Sequence, residues 1–295
     1  MPQRTTESLL AALGRRTSPP TRGQRVFTAG HSFHVFIAPL LKEIARSAGI
    51  PDHTVVGTQF LGSSRVIEHW QRPDSVNEAK RALRSGRMDV LTLSPTSHPD
   101  PGIDAFTRLA LEHNPDVRVT VQASWVPFDG LILANLHPDK AGRDALTGAD
   151  LRRLHALYFP TVDEEVAALN RVYGRPVLSV VPVGQALIAL RERIRAGRAP
   201  GLHSQEELFT DPVGHPALPV QILAAYGHFA VIYRQSPVGL AAPAALNRSG
   251  NPRGMEGLNR LLQELAWEAV VCHPLSGVAE AGSGCPILPQ AAAEL

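Results

Sequence analysis

The sequence predicts an α/β fold: a doubly wound parallel sheet of about five strands, layered as in the flavodoxin-like three-layer sandwich. Three observations carry this. Short apolar or β-branched runs alternate along the chain with longer segments of helical periodicity, the pattern of a parallel sheet covered on both faces. The short runs are dominated by apolar and β-branched residues, as strands buried on both sides are. The chain has 295 residues, 44% of them hydrophobic and 19% charged. That is enough to bury a substantial core without disulfides or metals.

The elements follow in order. Residues 1–24 read as a lead-in that ends in a Pro-rich stretch. Arg25-Val26-Phe27-Thr28-Ala29 is the first strand, and Phe33 to Ala48 has helical spacing with Gly49 and Pro51 as stop signals. Thr54 to Thr58 is strand-like, a polar helix follows over 75–85, and Asp89 to Leu93 is the next strand. Ile103 to His113 is a helix ended by Asn114-Pro115, and Val117 to Gln122 alternates as a strand. One long helix is expected over Gly148 to Tyr173, then a strand over Pro176 to Val181 and a helix over Gly184 to Arg195. Residues 198–219, rich in Gly, Pro and His, read as a surface loop. Helices over Val220 to Arg234 and Met255 to Val271 complete the chain, with a second loop between them. The expected organisation is one α/β domain over 25–240, with the helix and tail of 241–295 packed on it.

Composition bounds the partners. Net charge is +2, which gives no electrostatic reason to expect nucleic acid. No run reaches the roughly 18 apolar residues of a membrane helix. The first twenty residues lack the layout of a secretory signal. That leaves a cytoplasmic protein or an exported one whose signal has been removed. Oligomeric state is not legible. The two cysteines, Cys272 and Cys285, are either free thiols or a short disulfide loop.

Two segments carry chemistry. The first strand runs into Ala29-Gly30-His31-Ser32-Phe33. A serine at such a turn sits at the C-terminal edge of the sheet, where ligands bind in this architecture. Ser32 is either a nucleophile, with its own amide as an oxyanion donor, or a helix cap. Asp211-Pro212-Val213-Gly214-His215-Pro216 lies after the last strand. A nucleophilic serine needs a histidine base, and the histidine needs a carboxylate to fix its tautomer. Asp211 and His215 on one Pro/Gly loop supply both.

At these residues the chain resembles the SGNH (GDSL-like) hydrolases. Val26 to Phe33 is similar to their first block, with its Gly-x-Ser, and Phe209 to Pro216 to their last block. Leu223-Ala224-Ala225-Tyr226 and Val231-Ile232-Tyr233 resemble the end of some members, so the likeness spans roughly 25–240. The resemblance implies a cofactor-free ester hydrolase working through an acyl-enzyme, with Ser32 as nucleophile, His215 as base and Asp211 orienting it. The favoured substrate is a short acyl group, such as acetyl, on a carbohydrate or other small molecule. The resemblance also implies a second-block glycine amide as an oxyanion donor, for which Gly62 is the candidate; the alternative is a plain turn glycine.

Three departures stand out. His31 occupies the position where the family has Asp or Asn, and the Asp-to-His spacing is one residue longer than the family pattern. The third block has no asparagine in Ser94-Pro95-Thr96-Ser97-His98. Ser97 or His98 is the expected substitute donor; losing one donor costs about 3–4 kcal/mol of transition-state stabilisation. Trp125, in the apolar Trp125-Val126-Pro127-Phe128, is a candidate pocket residue, with ordinary packing as the alternative. Two other readings remain open: a non-catalytic binding protein on the same scaffold, and a metal-dependent hydrolase using His31, His34, Asp211 and His215.

Overall fold

A computed structural model describes residues 20, 22–136, 142–247 and 252–278. Five strands form one all-parallel sheet, β1 (Arg25–Gly30), β2 (Thr54–Phe60), β3 (Val90–Leu93), β4 (Arg118–Gln122) and β5 (Leu178–Val181), in the spatial order β2-β1-β3-β4-β5. Helices α1 (Ile37–Ser47), α2 (Val66–Gln71), α3 (Glu78–Arg84), α4 (Pro101–His113), α5 (Asp129–Leu136), α6 (Gly148–Leu154) and α7 (Tyr158–Tyr173) precede β5. After it come α8 (Val183–Arg195), α9 (Leu218–Tyr233), the short α10 (Ala244–Asn247) and α11 (Pro252–Cys272). This is the doubly wound architecture that the sequence predicts.

Strand residues divide between two apolar layers. Val26 and Val90 face α1, α8, α9 and α11. Phe27, Leu91, Val119 and Val180 face the opposite layer, with Phe106 of α4 and Val162 of α7. The first layer has a polar seam inside it. Thr28 pairs in register with Thr58 and Thr92, Thr92 with Thr120, and Thr120 with Ser179, so hydroxyl residues cross all five strands in one row.

The order β2-β1-β3 makes the β1/β3 boundary the switch point of the sheet. Chains leave neighbouring strands in opposite directions there, which opens a crevice beyond their C-terminal ends. The Ser32 turn follows β1 and Ser94 to His98 follow β3, so both border that crevice.

Four expectations change. Helix α1 begins at Ile37, with Phe36 at its N-cap position. His31 to Phe36 instead form a tight turn, in which the His34 and Val35 amides both donate to the His31 carbonyl (3.0 and 3.2 Å). The long helix expected over 148–173 is broken at His155–Leu157 into α6 and α7. Buried His155 explains the break: Nδ1 donates to the Leu151 carbonyl (2.7 Å) and Nε2 accepts the Val126 amide (3.1 Å), tying the corner to the end of β4. Helix α5 follows Phe128 where no helix was expected. The loop over 198–219 is packed down, with a 3₁₀ turn at Gln205–Leu208 and a bridge between Phe209 and Pro216. Cys272 is disulfide-bonded; Cys285, most of the 1–24 lead-in and the tail from 279 on lie outside the described residues. No described helix is long and apolar enough to cross a membrane.

Candidate active site

Ser32 does not cap a helix, because α1 starts five residues beyond it. Its Oγ lies 2.9 Å from His215 Nε2, bringing together two residues 183 positions apart. His215 Nδ1 lies 2.5 Å from Asp211 Oδ2. The other carboxylate oxygen of Asp211 accepts the Gly214 and His215 amides at 3.0 and 3.1 Å. Asp211 is held below the usual carboxylate range, first by the hydrogen bond from His215; partial burial opposes this, and the two amides add to it. With Asp211 ionised, His215 carries its proton on Nδ1 and offers the Nε2 lone pair to the serine hydroxyl.

The loop that carries the Asp and His is fixed carbonyl by carbonyl. Arg143 donates from Nη1 to the Asp211 carbonyl (3.2 Å) and from Nη2 to the Pro212 carbonyl (2.9 Å). The Phe128 amide donates to the Val213 carbonyl (2.9 Å), and Trp125 Nε1 to the Gly214 carbonyl (3.0 Å). The Thr210 amide donates to the His215 carbonyl (2.9 Å). Arg143 is itself held by Asp129 (2.9 Å) and Glu206 (3.1 Å), and Asp129 also pairs with Arg191. Burial works against the Asp129 charge, but Arg191 and Arg143 outweigh it and hold that carboxyl below its ordinary pKa.

Beneath the Ser32 turn runs a buried polar chain. Gln122 donates from Nε2 to the Phe33 carbonyl (2.9 Å) and to Ser124 Oγ (2.7 Å). Its Oε1 accepts from His228 Nε2 (3.0 Å). Thr92 Oγ1 lies 2.8 Å from His34 Nε2 and 3.4 Å from His228 Nδ1. His31 Nδ1 accepts the Phe33 amide (3.3 Å), and its Nε2 lies 3.3 Å from Ser94 Oγ. Burial dominates the titration of these histidines. It lowers His31 to about 4, with His69 and His215 adding to the effect against the Pro95 carbonyl, and lowers His228 to about 3. His34 also falls well below its ordinary value, through burial and then its histidine neighbours. All three are neutral at neutral pH, so they serve as fixed hydrogen-bonding struts.

A cavity of about 450 Å³ opens at Ser32 and His215. It lies over the β1/β3 switch point and extends to the end of β4, where Trp125, Phe128 and Tyr158 form its walls. Of the expected pocket residues, Trp125 lines the cavity, although its ring is buried, stacked on Phe33 at 4.6 Å. Gly62 immediately precedes Ser63, which lines the cavity. Ser97 and His98 do not line it, and His98 is turned into a buried pair with Glu165 (2.5 Å). Thr96 and Pro95 line it from that segment instead. His34 is engaged with Thr92 under the floor, and the four candidate metal ligands do not converge. Among the described residues no group of three or more His, Cys, Asp or Glu is placed to hold a metal.

Sequence reasoning missed Arg143, Gln122, Ser124 and Tyr158, none of which belongs to a motif, and in the third block it chose Ser97 and His98 over Thr96. The apolar run at Trp125–Phe128 was the one usable signal for the cavity wall.

No family model matches the chain, and no curated protein matches it. Solved structures do. A DUF4886 family protein from Bacteroides uniformis shares the fold at 13% identity, with a TM-score of 0.53 over 84% of this chain and 95% of that one. A protein from Slackia heliotrinireducens provisionally named an SGNH hydrolase aligns at 18% identity and TM-score 0.42, over 70% of this chain and 98% of its own. The acetyl xylan esterase AlAXEase aligns at 10% identity and TM-score 0.42, over 70% and 99%.

Proposed function

We propose that the protein is a serine ester hydrolase working through an acyl-enzyme. The observation that carries this reading is the relay Ser32 Oγ–His215–Asp211, with spacings of 2.9 and 2.5 Å, at the mouth of a cavity. The first distance lies in the range required of a nucleophile and its base, and the second is a short hydrogen bond to the orienting group.

In this reading Ser32 Oγ attacks the ester carbonyl carbon while its proton passes to His215 Nε2. The ionised Asp211 stabilises the imidazolium. The carbonyl oxygen becomes an oxyanion facing the Ser32 and Gly62 amides, with the cavity-lining Thr96 as the third donor in place of the missing asparagine. Collapse breaks the C–O bond, and the proton on His215 goes to the departing alcohol. Water, deprotonated by His215, then attacks the acyl-serine and releases the acid, returning the proton to Ser32. The residues alone require no cofactor for these steps.

The test is turnover of p-nitrophenyl acetate by the native protein and by Ser32→Ala, each with and without chelator. Loss of turnover on Ser32→Ala, with no effect of chelator, is the expected result. Loss with chelator in the native protein favours the metal reading. Slow turnover equal in both proteins favours a non-catalytic binder.

A further inference from the structure

Resting on the serine reading of Ser32, we propose that the site takes esters carrying an uncharged, unbranched apolar chain rather than acetylated sugars. Three observations point there.

The first is size. A heavy atom occupies roughly the volume of a water, about 30 Å³. The three heavy atoms of an acetyl group therefore fill a small part of the 450 Å³ cavity and leave the rest to the group across the ester bond, so the wall chemistry below decides between a sugar and an apolar chain. A chain of about six to ten heavy atoms fills roughly half of it.

The second is chemistry. No Asp, Glu, Lys or Arg lines the cavity, so a phosphate, carboxylate or ammonium group meets no countercharge. Most polar handles of the walls are already engaged, the Ser63 and Thr96 hydroxyls being the exceptions. Trp125 Nε1 is held by the Gly214 carbonyl (3.0 Å), and Tyr158 Oη accepts the Ser124 amide (3.2 Å). Ser124 Oγ is taken by Gln122 (2.7 Å) and Ser94 (3.3 Å). Beyond those two hydroxyls, what the walls offer is mainly ring and aliphatic carbon from Phe33, Trp125, Val126, Pro127, Phe128 and Val213. A sugar brings several hydroxyls that lose water on entry and need partners.

The third is the rim. Exposed aromatic rings stand at the mouth. Phe128 lines it and is 43% exposed. The Phe60 ring lies 4.0 Å from where a Cβ on Gly62 would sit, beside the lining Ser63. Apolar surface gathered at a cavity is a mark of ligand binding.

The chain sits on either side of the ester, and two substrate series tell which. One is p-nitrophenyl esters from acetate to decanoate, and the other n-alkyl acetates of matching length. Both are assayed below their micellar concentrations. In one series kcat/KM rises about fourfold per methylene, up to about eight carbons. Val126→Trp, which fills the cavity, cuts the long-to-short ratio in that series at least tenfold. Val213→Phe serves the same purpose if the first variant does not fold. A maximum at the shortest member in both series, or a ratio unmoved by the filling variants, overturns the inference. Hydrolysis that persists in Ser32→Ala, or is absent for every ester, overturns the serine reading instead.

Discussion

Buried Arg143 holds the Pro212 carbonyl at 2.9 Å and so sets the position of a loop in which it has no sequence neighbour. The same guanidinium reaches the Asp211 carbonyl, and Asp129 and Glu206 fix it in place. A planar fork with five donors spans these acceptors at once; an ammonium does not. Arg143→Lys keeps the charge against Asp129 and loses the span. It is expected to fold, to lower kcat about tenfold or more and to leave KM nearly unchanged. Arg143→Met leaves Asp129 with Arg191 as its remaining cationic partner beside the Gly130 amide (2.8 Å), strips Glu206 of its ion-pair partner, and is expected to destabilise by about 3 kcal/mol. Steady-state kinetics and thermal melts check both, and an Arg143→Lys enzyme with native kcat contradicts the positioning role.

Gly30 is required for steric reasons. A Cβ there would meet His34 Nδ1 at 2.6 Å and two further His34 atoms at 3.2 and 3.3 Å. The imidazole cannot yield, because Thr92 holds its other nitrogen at 2.8 Å and the ring is fully buried. Gly30→Ala is expected to cost about 1–3 kcal/mol, as overpacking of a tight interior does, and to displace the Ser32 turn. Denaturant melts give the stability change and ester turnover the displacement. A fully stable, fully active Gly30→Ala shows that the turn is not braced by His34.

Acid stability follows from the buried histidines. Burial is the leading cause that lowers His31, His53 and His69 to about 4 and His228 to about 3. In the unfolded chain a histidine titrates near 6.5. Between these values the unfolded state binds more protons than the folded one, so stability falls as pH falls. The protein is expected to keep full stability above about pH 6.5 and to lose it progressively down to about pH 4. The total loss is several kcal/mol. Tm measured from pH 7.5 to 4 reads this directly, and a flat Tm over that range contradicts it.

The fold was legible because each strand is a short run of mainly apolar and β-branched residues bounded by turn residues, the pattern of buried parallel strands. The relay was legible for a different reason: Ser32 and the Asp211–His215 pair sit in two short blocks whose residue types are chemically constrained. The supports were not legible. Arg143 and Gln122 act through backbone carbonyls of other segments, so their roles follow from three-dimensional closure and leave no local pattern. The break between α6 and α7 was hidden because 148–173 keeps helical periodicity, while His155 is drawn away by the end of β4. Ser32 read as a plausible cap because the turn ahead of α1 contains apolar residues at helical spacing.

The central claim is that Ser32 is a nucleophile activated by His215, and covalent capture tests it most directly. The protein is treated with an alkyl fluorophosphonate and mapped by peptide mass spectrometry. A single phosphonyl adduct on Ser32, absent in Ser32→Ala and strongly slowed in His215→Ala, is the expected result. No adduct, or an adduct on another residue with Ser32 unmodified, contradicts it.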